Sequence, residues 1–284
     1  QRYGQGGLLV IFGLVVLLNL SLTVGNGFMR WPAELEARMK YQAVWRDLAF
    51  YLQDMPARGL VVADSFYRPI TVDSLRRNMN QSLAARWVQT GSDVAGAVVI
   101  PQEEGALLVV PEYAAPDPWL LSAAGIDPNP IYRSGQKPSY AVYELPTRPA
   151  LSPLTETANF ADQIRLVGYD TLLAPDRGSL QLITIWKIDD MLPDDVAIFA
   201  HLYNEDGVLI SQHDGFDAAP QTLREGDFVV QRHVLPLGDP LPADVQALHI
   251  GLYRRGNGQR IELLGDEFPT ADQIILPLDD LVVE

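Results

Sequence analysis

Hydrophobic positions run almost unbroken at the start of the chain. Gly6 to Phe28 has no ionisable side chain, and its centre, Leu8 to Val24, reads LLVIFGLVVLLNLSLTV. An α-helix rises ~1.5 Å per residue, so ~20 apolar residues cross a ~30 Å hydrocarbon layer. The pattern predicts a transmembrane helix over 6–28. Arg2 and Tyr3 precede it, and Arg30 and Trp31 follow, in the manner of membrane-interface anchors. A secretory signal would have a shorter apolar region and a small-residue cleavage site, whereas Gly25-Asn26-Gly27 leads into Phe28. Flanking charge does not set the orientation. Arg2 stands on one side, and Arg30, Arg38, Lys40 and Arg46 on the other are offset by Glu34, Glu36 and Asp47.

The pattern then changes twice. Over 31–148, apolar positions at helical spacing (Leu35, Met39, Val44, Leu48, Leu52) predict a helix to about Asp54, ended by Pro56 and Gly59. Its aromatics, Tyr41, Trp45, Phe50 and Tyr51, suit packing better than a cofactor site. Short apolar runs at Gly59–Asp64, Ala95–Pro101, Ala106–Pro111 and Ser139–Leu145 read as strands. Ser74–Val88 and Asp117–Ala124 read as helices, giving a small α/β extracytoplasmic domain. After a proline-containing linker, 155–284 alternates apolar runs with turn residues. The runs are Ile164–Tyr169, Ser179–Ile188, Val196–Tyr203, Val208–His213, Phe228–Leu235, Ala247–Tyr253, Gln259–Leu264 and Gln273–Leu278. Turns such as Asn204-Glu-Asp-Gly207 and Arg255-Gly-Asn-Gly258 separate them. That rhythm predicts an antiparallel β-sandwich, and the class as a whole is α+β.

Charge sharpens this division. The chain of 284 residues has a formal net charge of −15. Residues 1–154 hold 13 Lys+Arg and 13 Asp+Glu, whereas 155–284 hold 8 and 23, so the whole imbalance belongs to the sandwich. An acidic module of this kind is a poor partner for nucleic acid. There is no cysteine, which removes disulfides, thiolate metal sites and cysteine nucleophiles. The chain begins with Gln1, which reads as a processed product or a portion of something longer.

Catalytic motifs are absent. No GxSxG or HExxH occurs, and no carboxylate pair stands out for a soluble hydrolase, so no catalytic residue is assigned. Asp64 ends a strand, where a capping role suits it, and Arg76-Arg77 suit a solvated helix face. His201, His213, His233 and His249 all fall in the sandwich without a close metal-ligand pair. The acidic turns are compatible with a structural calcium, but none has the EF-hand pattern, and no other cofactor is expected. Trp186, Tyr203, Phe216 and Tyr253 could form a glycan or partner contact, the other reading being core packing.

The sequence also carries a likeness. A membrane helix, an amphipathic helix and the segments GLVVAD (59–64), AVVIP (97–101), ALLVVP (106–111) and YAVYELP (140–146) follow in order. This order resembles the extracytoplasmic tail of the GT-C membrane glycosyltransferases of the dolichyl-phosphate-mannose-protein mannosyltransferase/ArnT-like family. The stretch with IRLVGYD (164–170), LQLITIWK (180–187), AIFAHLYNEDGVLISQHDG (197–215) and LHIGLYRRGNGQRI (248–261) is similar to β-sandwich domains appended to such enzymes in Chloroflexus-like bacteria. The resemblance implies a periplasmic location on the bacterial cytoplasmic membrane and enzymes that use lipid-linked sugars. Their catalytic base, an acidic residue, lies in the first extracytoplasmic loop of a multi-span domain that this chain lacks, so the implied role is non-catalytic, facing acceptor or glycan. The other reading is a single-span accessory subunit of a respiratory or photosynthetic membrane complex.

Overall fold

A computed structural model describes residues 2–53, 55, 59–64, 75, 77, 85–90, 95–151, 154, 157–174, 178–237, 245–265 and 271–277. The first part contains α1 (Arg2–Val24), a π-helical turn (Gly25–Arg30), a 3-10 turn (Trp31–Ala33), α2 (Leu35–Lys40) and α3 (Ala43–Gln53). Strands β1 (Leu60–Asp64), β2 (Ala85–Gln89), β3 (Ala95–Ile100) and β4 (Leu107–Pro111) follow, then α4 (Pro118–Ala124), β5 (Tyr132–Arg133) and β6 (Tyr140–Glu144). The remainder is β7 (Ala158–Phe160), β8 (Ile164–Leu173), β9 (Ser179–Ile188), β10 (Val196–Asn204), β11 (Leu209–Gly215), β12 (Phe228–Pro236), β13 (Val245–Arg254), β14 (Leu263–Leu264) and β15 (Gln273–Pro277).

α1 is a continuous helix of 23 residues. Among the described residues, no helix is long and apolar enough to cross a membrane. Side chains before Ile11 lie outside the described set, and Ile11–Val24 alone covers roughly 21 Å, short of a ~30 Å core. The helix expected up to Asp54 is broken at Tyr41–Gln42, where Gln42 takes φ 52° and redirects the chain.

The β1, β2, β4, β5 and β6 strands form one sheet in the order β2-β1-β4-β6-β5, parallel at β1 and antiparallel from β4 onward. Alternation of side chains across strands gives it two buried faces. Leu60, Val62, Leu107, Val109 and Val142 pack on Val44, Trp45, Leu48, Ala49 and Leu52 of α3. Val61, Ala63, Leu108 and Val110 join a larger core that includes Leu120, Leu121 and Ala123 of α4. The Asp117 carboxylate caps α4 by accepting from the Trp119 amide at 2.8 Å, and Gly125 closes the helix at φ 74°.

The sequence rhythm of 74–88 suggested a helix, but its last part, Ala85–Gln89, is a strand; of the rest, only Leu75 and Arg77 are among the described residues, both helical. The reason is tertiary. In β2, Trp87 packs on Trp45, with ring centroids 5.8 Å apart, while Arg86 points the other way into a buried ion cluster. The Arg86 guanidinium donates to both oxygens of Asp227 at 2.8 and 3.0 Å and to Glu103 at 3.0 Å. Burial would lower the Arg86 pKa, and the bonds to Asp227 and Glu103 outweigh it and raise it.

The second half is an antiparallel sandwich. One sheet has six strands, β14-β7-β8-β9-β12-β3, and the other four, β11-β10-β13-β15. Ile198, Ala200 and Leu202 of the small sheet and Leu166, Leu182 and Trp186 of the large one share the core. β3 belongs by sequence to the first unit, yet pairs antiparallel with β12 as the edge of the large sheet, Val98 opposite Val230. The segments 31–148 and 155–284 are therefore joined through one sheet.

Candidate functional site

Among the described residues, the interior of the sandwich is apolar except for one strip. Thr184 on β9, and Gln231 and His233 on β12, are fully buried on the face turned to the small sheet. Buried polar groups are costly without partners, and each of these reaches toward the same place, the open edge at β11. The Trp186 Nε1–H donates to Thr184 Oγ1 at 2.8 Å. Thr184 Oγ1 lies 3.1 Å from His233 Nε2, and His233 Nδ1 lies 2.9 Å from His213 Nδ1. While both rings are neutral, one of the two facing Nδ1 atoms carries a proton that the other accepts.

Gln231 plays the same part for Asp217. Its Nε2 donates to Asp217 Oδ2 at 2.6 Å, and its Oε1 accepts from the Asp217 amide at 2.9 Å. Asp217 lies in the segment after β11, which runs beside β2 as an added strand. Val88 bridges Ala218, and the Gln89 amide donates to the Asp217 carbonyl at 2.6 Å. The five- and four-stranded sheets thus border one cleft of about 450 Å³, whose lining includes Gln89, Asp194, His213, Asp214, Phe216, Asp217 and Arg255, and β12 backs it through the Gln231–Asp217 bonds.

The site's electrostatics reflect its burial. Desolvation lowers the His213 pKa, while Asp217 and Asp214 pull it back only in part. His233 is pushed well below the ordinary value, by burial first and by His213 second. Desolvation raises Asp217 against the pull of its Gln231 bond. The cleft holds three carboxylates against one guanidinium. It presents acceptors on several sides, a donor at Arg255, the imidazole of His213 and the ring of Phe216.

The cleft opens onto the outer face of the small sheet, where Asp214 links the two. Its Oδ1 is 2.9 Å from His201 Nε2, and its Oδ2 accepts from the Tyr253 hydroxyl at 3.3 Å. Burial, with Asp214 second, raises the Tyr253 pKa. The Tyr203 and His249 rings pack in a tilted arrangement, with centroids 4.4 Å apart. Phe199 sits over Gly251 beneath the Arg260 guanidinium, which is 4.3 Å from its ring centroid.

The four aromatics singled out from sequence therefore separate. Trp186 is 0% exposed and is corrected from a contact residue to a core residue, because its indole seals the sandwich and orients Thr184. Phe216 lines the cleft, Tyr253 stands at its rim through Asp214, and Tyr203 lies farther along the same outer face. Of the membrane-interface set, Arg30 and Trp31 are exposed, whereas the Arg2 and Tyr3 side chains fall outside the described residues. His213, Asp217, Gln231 and Arg255 were not assigned to a site from sequence. Only topology places β11 opposite β12, though a buried-strand pattern interrupted by Thr184, Gln231 and His233 was a readable signal.

A larger cleft of about 710 Å³ lies on the outside of the six-stranded sheet. Its walls are mainly Pro149, Leu151, Val167, Ile185 and Phe228, with Glu104, Arg148 and Lys187 among the charged groups. Among the described residues, no buried network comparable to that behind His213 and Asp217 organises its polar groups, so the edge cleft is the stronger candidate. Among the described residues, no group of three or more His, Asp or Glu side chains is arranged to hold a metal ion. The sequence matches no protein-family profile and no curated protein sequence.

Proposed function

We propose that this chain is a membrane-anchored, extracytoplasmic module of a lipid-linked-sugar-dependent glycosyltransferase, non-catalytic in itself and binding a neutral glycan or acceptor sugar. The observation that carries the reading is the edge cleft, where buried Thr184, Gln231 and His233 hold His213 and Asp217 in place. Carboxylates accept hydrogen bonds from sugar hydroxyls, Arg255 donates to them, the His213 imidazole adds a further polar contact, and the Phe216 ring offers an apolar face to sugar C–H groups. The surplus of carboxylates disfavours phosphorylated or otherwise anionic ligands. Anchorage is supported by α1, 23 residues long, and by the absence of ionisable side chains from Gly6 to Phe28. The GT-C likeness supports the periplasmic side of a bacterial cytoplasmic membrane.

The test is a panel of neutral oligosaccharides probed with the full chain in lipid nanodiscs. Binding at or below ~1 mM, about −4 kcal/mol, is expected for at least one glycan class. Phe216→Ala should weaken it about 2- to 12-fold, the equivalent of ~0.5–1.5 kcal/mol. Absence of binding to every glycan would overturn the reading. If the chain also co-purified with a membrane complex at fixed stoichiometry, the accessory-subunit reading would replace it.

A further inference from the structure

α2 is built inside out. Its buried positions are Ala37 and Arg38, whereas Leu35 and Met39, one turn apart on the same side, are 49% and 53% exposed. The arrangement is held firmly. The Arg38 side chain donates to the Lys137 carbonyl and to Asp47 of α3, which fixes α2 against the domain with its apolar side outward. On either side of α2 the same character continues. Met29 is 74% exposed and Tyr41 63%, and Tyr41 packs edge-on against Trp31 with centroids 5.4 Å apart. A soluble helix places such residues inward.

We infer that the stretch Met29–Tyr41 is a collar seated in the headgroup layer of a lipid bilayer, laying the α/β unit against the membrane. The occupant is argued from continuity. The collar follows directly on α1, whose described side chains from Ile11 to Val24 are mostly exposed and apolar. A Trp–Tyr pair beside Arg30 has the composition of an interfacial belt. Interfacial segments bury their apolar side ~5–10 Å into the headgroup boundary. The collar's charges nearly balance, with Arg30 and Lys40 against Glu34 and Glu36, and Arg38 already paired with Asp47. Its attachment is therefore apolar and independent of anionic lipid.

This inference rests on the anchoring proposed above, and the test separates the two. The chain is free of cysteine, so single cysteines can be labelled with an environment-sensitive fluorophore at Leu35→Cys, Met39→Cys, Leu17→Cys in α1 and Met191→Cys on the sandwich. The labelled chains are reconstituted into phosphatidylcholine vesicles with and without phosphatidylglycerol. Quenching is read with iodide in water, nitroxide on lipid headgroups and nitroxide deep in acyl chains. The expected result is headgroup quenching at 35 and 39, deep quenching at 17 and iodide quenching at 191, unchanged by phosphatidylglycerol. Iodide quenching at 35 and 39 equal to that at 191, with 17 still deep, overturns the collar and leaves the anchor. Iodide quenching at 17 overturns the anchor. Shielding of 35 and 39 from all three quenchers would assign the surface to a second copy of the chain and overturn the lipid collar.

Discussion

The two histidines behind the cleft make stability depend on pH in a definite direction. Both His213 and His233 are held below the ordinary imidazole value of about 6.5. Between their folded and unfolded values the unfolded chain binds more protons, so these groups contribute stability above about pH 6.5 that is lost as pH falls. A second proton also places two N–H groups face to face across the 2.9 Å contact between the Nδ1 atoms. Asp217 works the other way. Its raised value means the folded state takes up a proton first, so stability is regained as pH falls through that value. The urea midpoint is expected to fall as pH drops below about 6.5, and Asp217→Asn should steepen the fall by removing the offset. A midpoint that does not change between pH 7 and 5 in both proteins would contradict the buried histidine pair. None of this was legible from composition or spacing. His213 and His233 are twenty residues apart on strands whose neighbours in the sheets are other strands.

Strands with a clean alternation or a continuous apolar run were readable, because burial on their faces set the pattern. Ser179–Ile188 has the same bounds in sequence and structure, and the Asp117 cap marked the start of α4. The segment of β2 reads locally as helix because Leu75, Met79, Leu83 and Trp87 recur every four residues, and nothing local reveals that Arg86 meets Asp227 across 141 residues. The helix over 35–54 was readable, but its break at Gln42 was not, since the redirected chain is stabilised by Arg38 reaching Lys137. The outer face of the small sheet depends on an element-level fit at Gly251. A Cβ there would lie 2.5 Å from Phe199 Cζ and 2.6 Å from the Asp272 carbonyl oxygen. Gly251→Ala should therefore displace the Phe199 ring and part β15 from β13, costing roughly 1–3 kcal/mol as overpacking does. Thermal denaturation checks this, and an unchanged midpoint would show that the ring has room to move.

For the whole molecule, the shared strand matters most. Composition and charge divide the chain near residue 150, and the acidic sandwich does carry the net charge, yet β3 crosses that division to close the edge of the large sheet. Residues 155–284 expressed alone would leave the apolar edge of β12 unpaired, and such an edge invites association. That fragment is expected to aggregate or self-associate, while the chain retaining 95–100 does not; analytical ultracentrifugation distinguishes them. The same junction creates the candidate site, since β2, β11 and β12 reach it from both sides of the division. In the function proposed above, this cleft binds neutral sugar through Asp214, Asp217 and Phe216. Calorimetric titration of the full chain in nanodiscs with the best glycan from the panel, comparing wild type with Asp214→Ala, decides it. Binding is expected to weaken about 10- to 100-fold in the variant, as for losing a charge-assisted hydrogen bond of ~1.5–3 kcal/mol. Equal affinity in the two proteins would place the glycan elsewhere and contradict it.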